Sequence, residues 1–366
     1  RLVGQDVAIV SATAGTTTDP VQKAVEINGL GAALIIDTPG LDDITSLGKE
    51  RMARTARMLD KTDIAVVLFT DAGTDTELKL LEELRVREIP AIVALTQSDR
   101  IADSEALAKH INILTNKEVI RLSATTGEGI EALREAIVKC RPSDERLITE
   151  GFCKAGDIVM LVMPQDASAP KGRLIQPQVQ PIRELLDRGC IPICTTPDSM
   201  AEALAGLKEA PALIITDSQA FEAAYRQKPE ASTLTSFSIL FARYKGDIKL
   251  FTEGVKALGR LTPTSRILIA EACSHTPQNE DIGRVKLPRI LRKKFGEELH
   301  IDIVGGNDYP EDLTQYDLVI HCGACMFNRK HVLSRVERAR SQGVAITNYG
   351  VILAALTGIL DRVRVD

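Results

Sequence analysis

Apolar runs of strand length alternate along this chain with stretches that repeat their apolar residues at helix spacing. Ala65–Phe69, Asp157–Met163, Ile191–Thr195, Ala212–Thr216, Arg266–Ala270, Leu299–Val304 and Asp317–Ile320 read as buried strands, with Val344–Asn348 as a further one. Helices are expected over Glu77–Glu88, Gly129–Cys140, Pro177–Arg188, Gly283–Phe295 and Arg329–Gln342. Strand-helix alternation of this kind predicts an α/β chain built on parallel sheets. Thr233–Phe241 is poor in charge and reads as an exposed edge strand, a place where a second copy could pair. The polar, Pro-containing stretch Arg141–Glu145 reads as a linker. The resulting division is 1–142, 150–260 and 261–366.

With 366 residues, 44% hydrophobic and 26% charged, the chain can fill two or three domain cores. A net charge of −5 and pI near 5.7 argue against a surface that coats nucleic acid, and the absence of Trp removes most base stacking. No apolar run approaches the ~20 residues that span a bilayer, and no charged-then-apolar leader opens the chain, so the expectation is a cytoplasmic protein without a membrane partner. The opening at Arg1 has no Met and reads as the end of a helix followed by a loop.

Seven cysteines are an odd number, and three of them crowd into two clusters. Cys273 and His275 form a C-x-H; His321, Cys322 and Cys325 form an H-C-x-x-C. Each cluster follows a predicted strand, and strand carboxyl ends in an open α/β sheet converge on one crevice. Thiolates select zinc or iron-sulfur clusters. Three readings stand: ordinary buried cysteines, a structural zinc site, and a 4Fe-4S cluster on three thiolates with an exchangeable corner. The count of three thiolates with several weaker neighbours favours the last. Cys325 precedes the helix at Arg329, whose N-terminus suits anionic sulfur. Asn348 and Tyr349 close the last strand and either approach the crevice or serve packing and capping. The scattered pair Cys190 and Cys194 reads as core packing. Arg284, Lys286, Arg289, Arg292, Lys293 and Lys294 share one helix and read as a solvated face, the alternative being a docking surface for an anion or acidic partner.

In the first region a Thr-rich loop, Ala14–Pro20, precedes an apolar strand that ends in Asp37-Thr-Pro-Gly40. That order matches the switch arrangement of P-loop GTPases. Thr96-Gln-Ser-Asp99 and Arg121-Leu-Ser-Ala-Thr-Thr-Gly127 fall where guanine-reading loops are placed. The phosphate-cradling G-x-x-x-x-G-K-[ST] is not in the sequence, and about 20 to 30 residues ahead of Arg1 are expected to hold it. Thr96-Gln97 stands where Asn-Lys is usual, which predicts weaker base discrimination.

With these motifs in place, the chain resembles the HydF-type FeFe-hydrogenase maturation GTPases over essentially its whole length. Besides the switch residues and cysteine clusters, Ala169–Ile175, Ile214–Gln219 and Glu280–Lys286 look like that family's motifs. The first half alone would equally fit tRNA-modifying GTPases. The resemblance implies a three-domain α/β chain: a P-loop GTPase-like parallel sheet, an α/β dimerisation domain and an α/β iron-sulfur cluster domain. It implies a GTP-hydrolysing scaffold that carries the diiron precursor to apo FeFe-hydrogenase alongside two radical-SAM maturases, as a homodimer or higher oligomer. By the same resemblance, Thr16 and Thr17 match switch I, Asp37 and Gly40 switch II, Asp99 the guanine-reading Asp, and Ser123 and Ala124 the loop beside the base. Cys273, Cys322 and Cys325 match the cluster thiolates, with His275, His321 or Glu280 available for the fourth corner. The implied cofactors are a 4Fe-4S cluster, GTP, Mg²⁺ and, as an option, K⁺.

Overall fold

A computed structural model of the chain describes residues 2, 21–37, 58–70, 75–141, 146–165, 172, 174–272, 281–306, 308–324 and 327–366. The chain divides into two compact units, Arg1–Asp144 and Glu145–Asp366.

The first unit contains an antiparallel ribbon of β1 (Val21–Ile27) and β2 (Gly31–Asp37), joined by a turn through Asn28-Gly29. Asn-Gly tolerates the positive φ that tight hairpins need. A separate parallel sheet holds β3 (Ala65–Phe69), β4 (Ala91–Leu95) and β5 (Val119–Arg121) in that order. Its helices are α1 (Asp75–Val86), α2 (Ser104–Thr115) and α3 (Ile130–Lys139). The strand period of two divides β4 between two cores. Val93 and Leu95 pack with Leu84 and Ile111, while Ile92 and Ala94 pack with Leu133 and Ile137.

The second unit holds two four-stranded parallel sheets. In the first, β6 (Ile158–Val162), β7 (Ile191–Thr195), β8 (Leu213–Thr216) and β9 (Thr233–Ser236) lie in the order β7-β6-β8-β9. Its connections carry α4 (Gln176–Asp187), α5 (Met200–Ala205) and α6 (Phe221–Gln227). Helices α7 (Phe237–Lys245) and α8 (Ile248–Gly254) lead to the second sheet. There β10 (Arg266–Ala270), β11 (His300–Val304), β12 (Leu318–His321) and β13 (Ile346–Asn348) lie in the order β11-β10-β12-β13. They are accompanied by α9 (Leu287–Phe295), α10 (Arg329–Ser341) and α11 (Tyr349–Leu356). One core joins both sheets: Met160, Val162 and Ile214 belong to the same cluster as Ile267, Leu318 and Ile352. Val159 and Leu161, one residue out of phase, enter a second core with Phe237 and Phe241.

Three expectations are corrected. Thr233–Phe241 is not one exposed edge strand: β9 stops at Ser236, whose hydroxyl accepts from the Ile239 amide and caps α7. The apolar residues beyond it, Phe237, Leu240 and Phe241, follow helix spacing and are buried. The outer edge of β9 is also occupied. The Arg364 amide donates to the Leu234 carbonyl at 2.8 Å and the Thr235 hydroxyl donates to the Arg364 carbonyl at 2.8 Å, so this edge is not the place for a second copy to pair. Finally, Cys190 is buried but Cys194 is exposed, because β7 is the edge strand of its sheet and is only partly covered. Among the described residues no helix is long and apolar enough to cross a membrane.

Candidate functional site

In the first unit the register aligns Phe69, Leu95 and Arg121, so the loops after β3, β4 and β5 leave the sheet at one edge. Backbone bonds lock two of them together: Thr96 N–H to the Phe69 carbonyl, Leu122 N–H to Leu95, and Ser98 N–H to Leu122, all at 2.8–3.0 Å. Asp99 sits exposed in the turn Ser98–Arg100, and Gln97 before it adopts a left-handed φ of 57°. Ser123 is fully buried, its hydroxyl accepting from the Thr126 amide, while Ala124 is exposed beside it. The Ser98 hydroxyl reaches the Glu128 carboxylate at 3.2 Å, tying the Asp99 turn to the Ser123 loop. Asp37 ends β2 and is exposed. Thr16, Thr17 and Gly40 lie outside the described residues.

In the second unit the same logic assembles a different row. Ala270 is in register with His321, and His321 with Asn348, so the next residues, Glu271, Cys322 and Tyr349, step off three neighbouring strands together. The ladder continues one bond further, from the Cys322 amide to the Ala270 carbonyl at 3.0 Å and from the Glu271 amide to Val304 at 2.8 Å. The Cys322 sulfur accepts two backbone N–H bonds, from Ala272 at 3.0 Å and Ala324 at 3.4 Å. Ala324 reaches it only by adopting φ 48°, a left-handed conformation that costs a non-glycine residue roughly 1 kcal/mol or more. The turn is held from below by Lys245 at the end of α7, whose buried ammonium donates to the Ala324 and Phe327 carbonyls at 3.0 and 2.7 Å.

Arg335 of α10 performs the same service for the neighbouring strand ends. Its buried guanidinium donates to the Glu271 carbonyl at 3.2 Å, to the Gly306 carbonyl, and to His321 Nε2 at 3.3 Å. His321 Nδ1 lies 2.8 Å from the Cys322 carbonyl, which only accepts. The proton is therefore on Nδ1, and the Nε2 lone pair faces Arg335. Burial first, and the Arg335 charge second, push the imidazole pKa down to about 3, so the ring is neutral. In this arrangement His321 is a strut between strand and helix, and ligation through Nε2 would give up the Arg335 bond.

On the other side of Cys322, the buried Glu271 carboxylate accepts from Arg284 Nε at 2.8 Å. Arg284 comes from a π-type turn, Ile282–Lys286, a local distortion that recurs at functional sites. The turn brings Gly283 so close that a Cβ there would stand 1.9 Å from the Tyr349 hydroxyl and 2.6 Å from Glu271 Oε1. Only glycine fits. Tyr349 is 8% exposed, and its hydroxyl has no hydrogen-bond partner among the described residues. Burial, together with the influence of Cys322 and Glu271, raises its pKa well above the usual value and keeps it a donor.

The chemistry of this row suits a metal group bound through sulfur. A thiol with two amides aimed at it, flanked by cationic Arg284 and Arg335 and an unused buried hydroxyl, fits a thiolate ligand. Of the expected ligands the structure describes Cys322 and His321; Cys273, His275, Glu280 and Cys325 lie outside the described residues. Among the described residues no three His, Cys, Asp or Glu side chains converge as a metal site. Asn348 caps α11, its side chain accepting from the Val351 amide and donating to the Ser238 carbonyl. Glu271, Arg335 and Lys245 escape motif reading, because charged residues at such spacings usually face water; Arg284, expected on a solvated face, pairs with buried Glu271.

Comparison with known proteins assigns the parts. The family model for the hydrogen maturase F dimerization domain matches residues 148–246, that for its tetramerization domain matches 249–364, and that for the 50S ribosome-binding GTPase matches 1–97. Among curated proteins, the tRNA modification GTPase MnmE of Lachnoclostridium phytofermentans is 35% identical over 145 residues, 38% of this chain and 30% of that protein. GTPase Era of Pseudomonas fluorescens is 28% identical over 157 residues, 41% of this chain and 52% of that one. The chain thus spans only about a third to a half of the length of these relatives. A crystal structure of Era in complex with MgGDPNP and nucleotides of 16S ribosomal RNA aligns over 53% of this chain and 86% of that one, with 18% identity and a TM-score of 0.35, too low to assign a fold. With a GTPase domain followed by both oligomerisation domains of hydrogen maturase F along one polypeptide, the chain belongs to the HydF-type hydrogenase maturase GTPases.

Proposed function

We propose that the chain is a cytoplasmic GTP-binding and hydrolysing scaffold that holds a 4Fe-4S cluster and carries the diiron precursor to apo FeFe-hydrogenase. The observation that supports it most directly is the Cys322 sulfur receiving two backbone N–H bonds at a strand end, in the part of the chain matched to hydrogen maturase F. Cys273, Cys322 and Cys325 are the proposed thiolates, with His275, His321 or Glu280 at the fourth corner. When bound, the cluster supplies an iron with a replaceable ligand, where incoming metal cargo can dock. The surrounding residues orient the thiolate, balance its charge and hold the loop that presents it.

In the GTPase domain, Asp37 and Thr16 or Thr17 are proposed to serve Mg²⁺, Gly40 to sense the γ-phosphate, and Asp99, Ser123 and Ala124 to read the base; K⁺ is an optional further ion. Hydrolysis acts as a timer, relaxing the Thr-rich loop so that radical-SAM maturases or hydrogenase bind or leave. The working form is a homodimer or higher oligomer, a reading supported by the dimerization and tetramerization models. The match to tRNA modification GTPases covers only the GTPase part.

Anaerobic reconstitution followed by metal and acid-labile sulfide analysis tests the cluster. About four irons and four sulfides per chain are expected; one zinc without sulfide would replace the carrier by a zinc-stapled interaction protein. The base-reading assignment has its own test. Asp99→Asn exchanges an acceptor for a donor against the guanine edge, so GTP affinity should fall about 10- to 100-fold, from the ~1.5–3 kcal/mol of hydrogen bonds to a charged group. Xanthosine triphosphate, whose edge is complementary to Asn, should bind the variant better than GTP in a competition titration.

A further inference from the structure

Glu271, Cys322 and Tyr349 occupy neighbouring positions on one row of strand ends, yet only two of the three have their polar atoms engaged. The Glu271 carboxylate takes Arg284 and the Cys322 sulfur takes two amides. The Tyr349 hydroxyl is buried without a partner among the described residues. Leaving such a group unsatisfied costs free energy comparable to a lost hydrogen bond, and native proteins rarely tolerate it without a use.

Nor is the hydroxyl there by accident of packing. A phenylalanine would fill the ring's place in the apolar core equally well. The backbone opposite is also shaped around the oxygen, since the π-type turn at Ile282–Lys286 sets Gly283 where any side chain would strike it. Asn348, capping α11, and the β12–β13 register fix the backbone from which the ring projects. A protonated phenol is a single rigid donor, and cluster sulfur is a natural acceptor for it.

The geometry points to Tyr349 as a positioning and tuning residue that donates its O–H to a sulfur of the group bound through Cys322. This rests on the cluster reading above. A hydrogen bond to sulfur stabilises the reduced, more negative cluster over the oxidised one, so its effect is to raise the reduction potential. Arg284 engages the Glu271 carboxylate, leaving the phenol as the unengaged polar group of the row among the described residues, at the first residue of α11.

The test compares the full-length wild type with Tyr349→Phe after identical anaerobic reconstitution, reading iron and sulfide content and the midpoint potential by an EPR-monitored titration. The expected result is a cluster in both proteins, with a lower potential and altered g-values in the Phe variant. Equal potentials in two loaded proteins overturn the inference and leave the cluster reading standing. A wild type that takes up no iron and sulfide overturns the cluster reading and this inference with it. Should the variant fail to fold, replacing all five tyrosines of the wild-type sequence by 3-fluorotyrosine strengthens the O–H donor without altering packing. The potential is then expected to rise, and an unchanged value overturns the inference.

Discussion

With Cys322 as a cluster ligand, as proposed, its replacement by Ser is expected to remove the iron and the brown colour of the reconstituted protein while GTP turnover continues. Serine keeps the two backbone N–H donors satisfied, because its oxygen accepts from Ala272 and Ala324 as the sulfur does. The fold therefore loses little, within about 1 kcal/mol. What it loses is the soft ligand: a serine hydroxyl is not deprotonated near neutral pH and binds iron poorly beside thiolates. Iron analysis, visible absorption and a phosphate-release assay on the same preparation separate the two activities. If GTP turnover collapsed together with iron content, cluster and nucleotide would be coupled far more tightly than a timer requires.

Arg335→Met is expected to be the most destabilising single change in the second unit. Methionine fills the volume but leaves the Glu271 and Gly306 carbonyls and His321 Nε2 without their donor. It also removes the cation from over the Tyr309 ring, 4.8 Å from its centroid. Unsatisfied buried acceptors cost about 1–3 kcal/mol each before relaxation, so a net loss of about 2–4 kcal/mol follows. For a unit of this size that lowers the melting temperature by about 5–15 °C. Calorimetry on the apo protein reads this directly. A change under about 1 °C would mean that water replaces the guanidinium and that the strand ends are wetter than their burial indicates.

Much of the architecture was legible because it depends on periodicity. Ala65–Phe69 and Arg266–Ala270 coincide with the expected strands, and Arg329–Ser341 with the expected helix, since apolar spacing decides which face can be buried. Thr233–Phe241 defeated that reading because Ser236 both ends a strand and caps a helix, and a short apolar run fits either period. Tyr349–Leu356 was invisible for a related reason: a helix buried on nearly all sides has no polar face to betray its period.

The sequence by itself determined the alternation of strands and helices, and it supplied candidates for the chemistry, the soft side chains of the C-x-H and H-C-x-x-C clusters and the D-x-x-G, because apolar spacing and residue type are local properties. Only the tertiary structure decided which residues stand around Cys322. Glu271, Tyr349, Arg284, Arg335 and Lys245 come from five separate elements, and strand register, one π-type turn and two buried cations bring them together. No local pattern encodes such a meeting, because the free energy that fixes it lies in a core shared by two sheets whose strands are far apart along the chain.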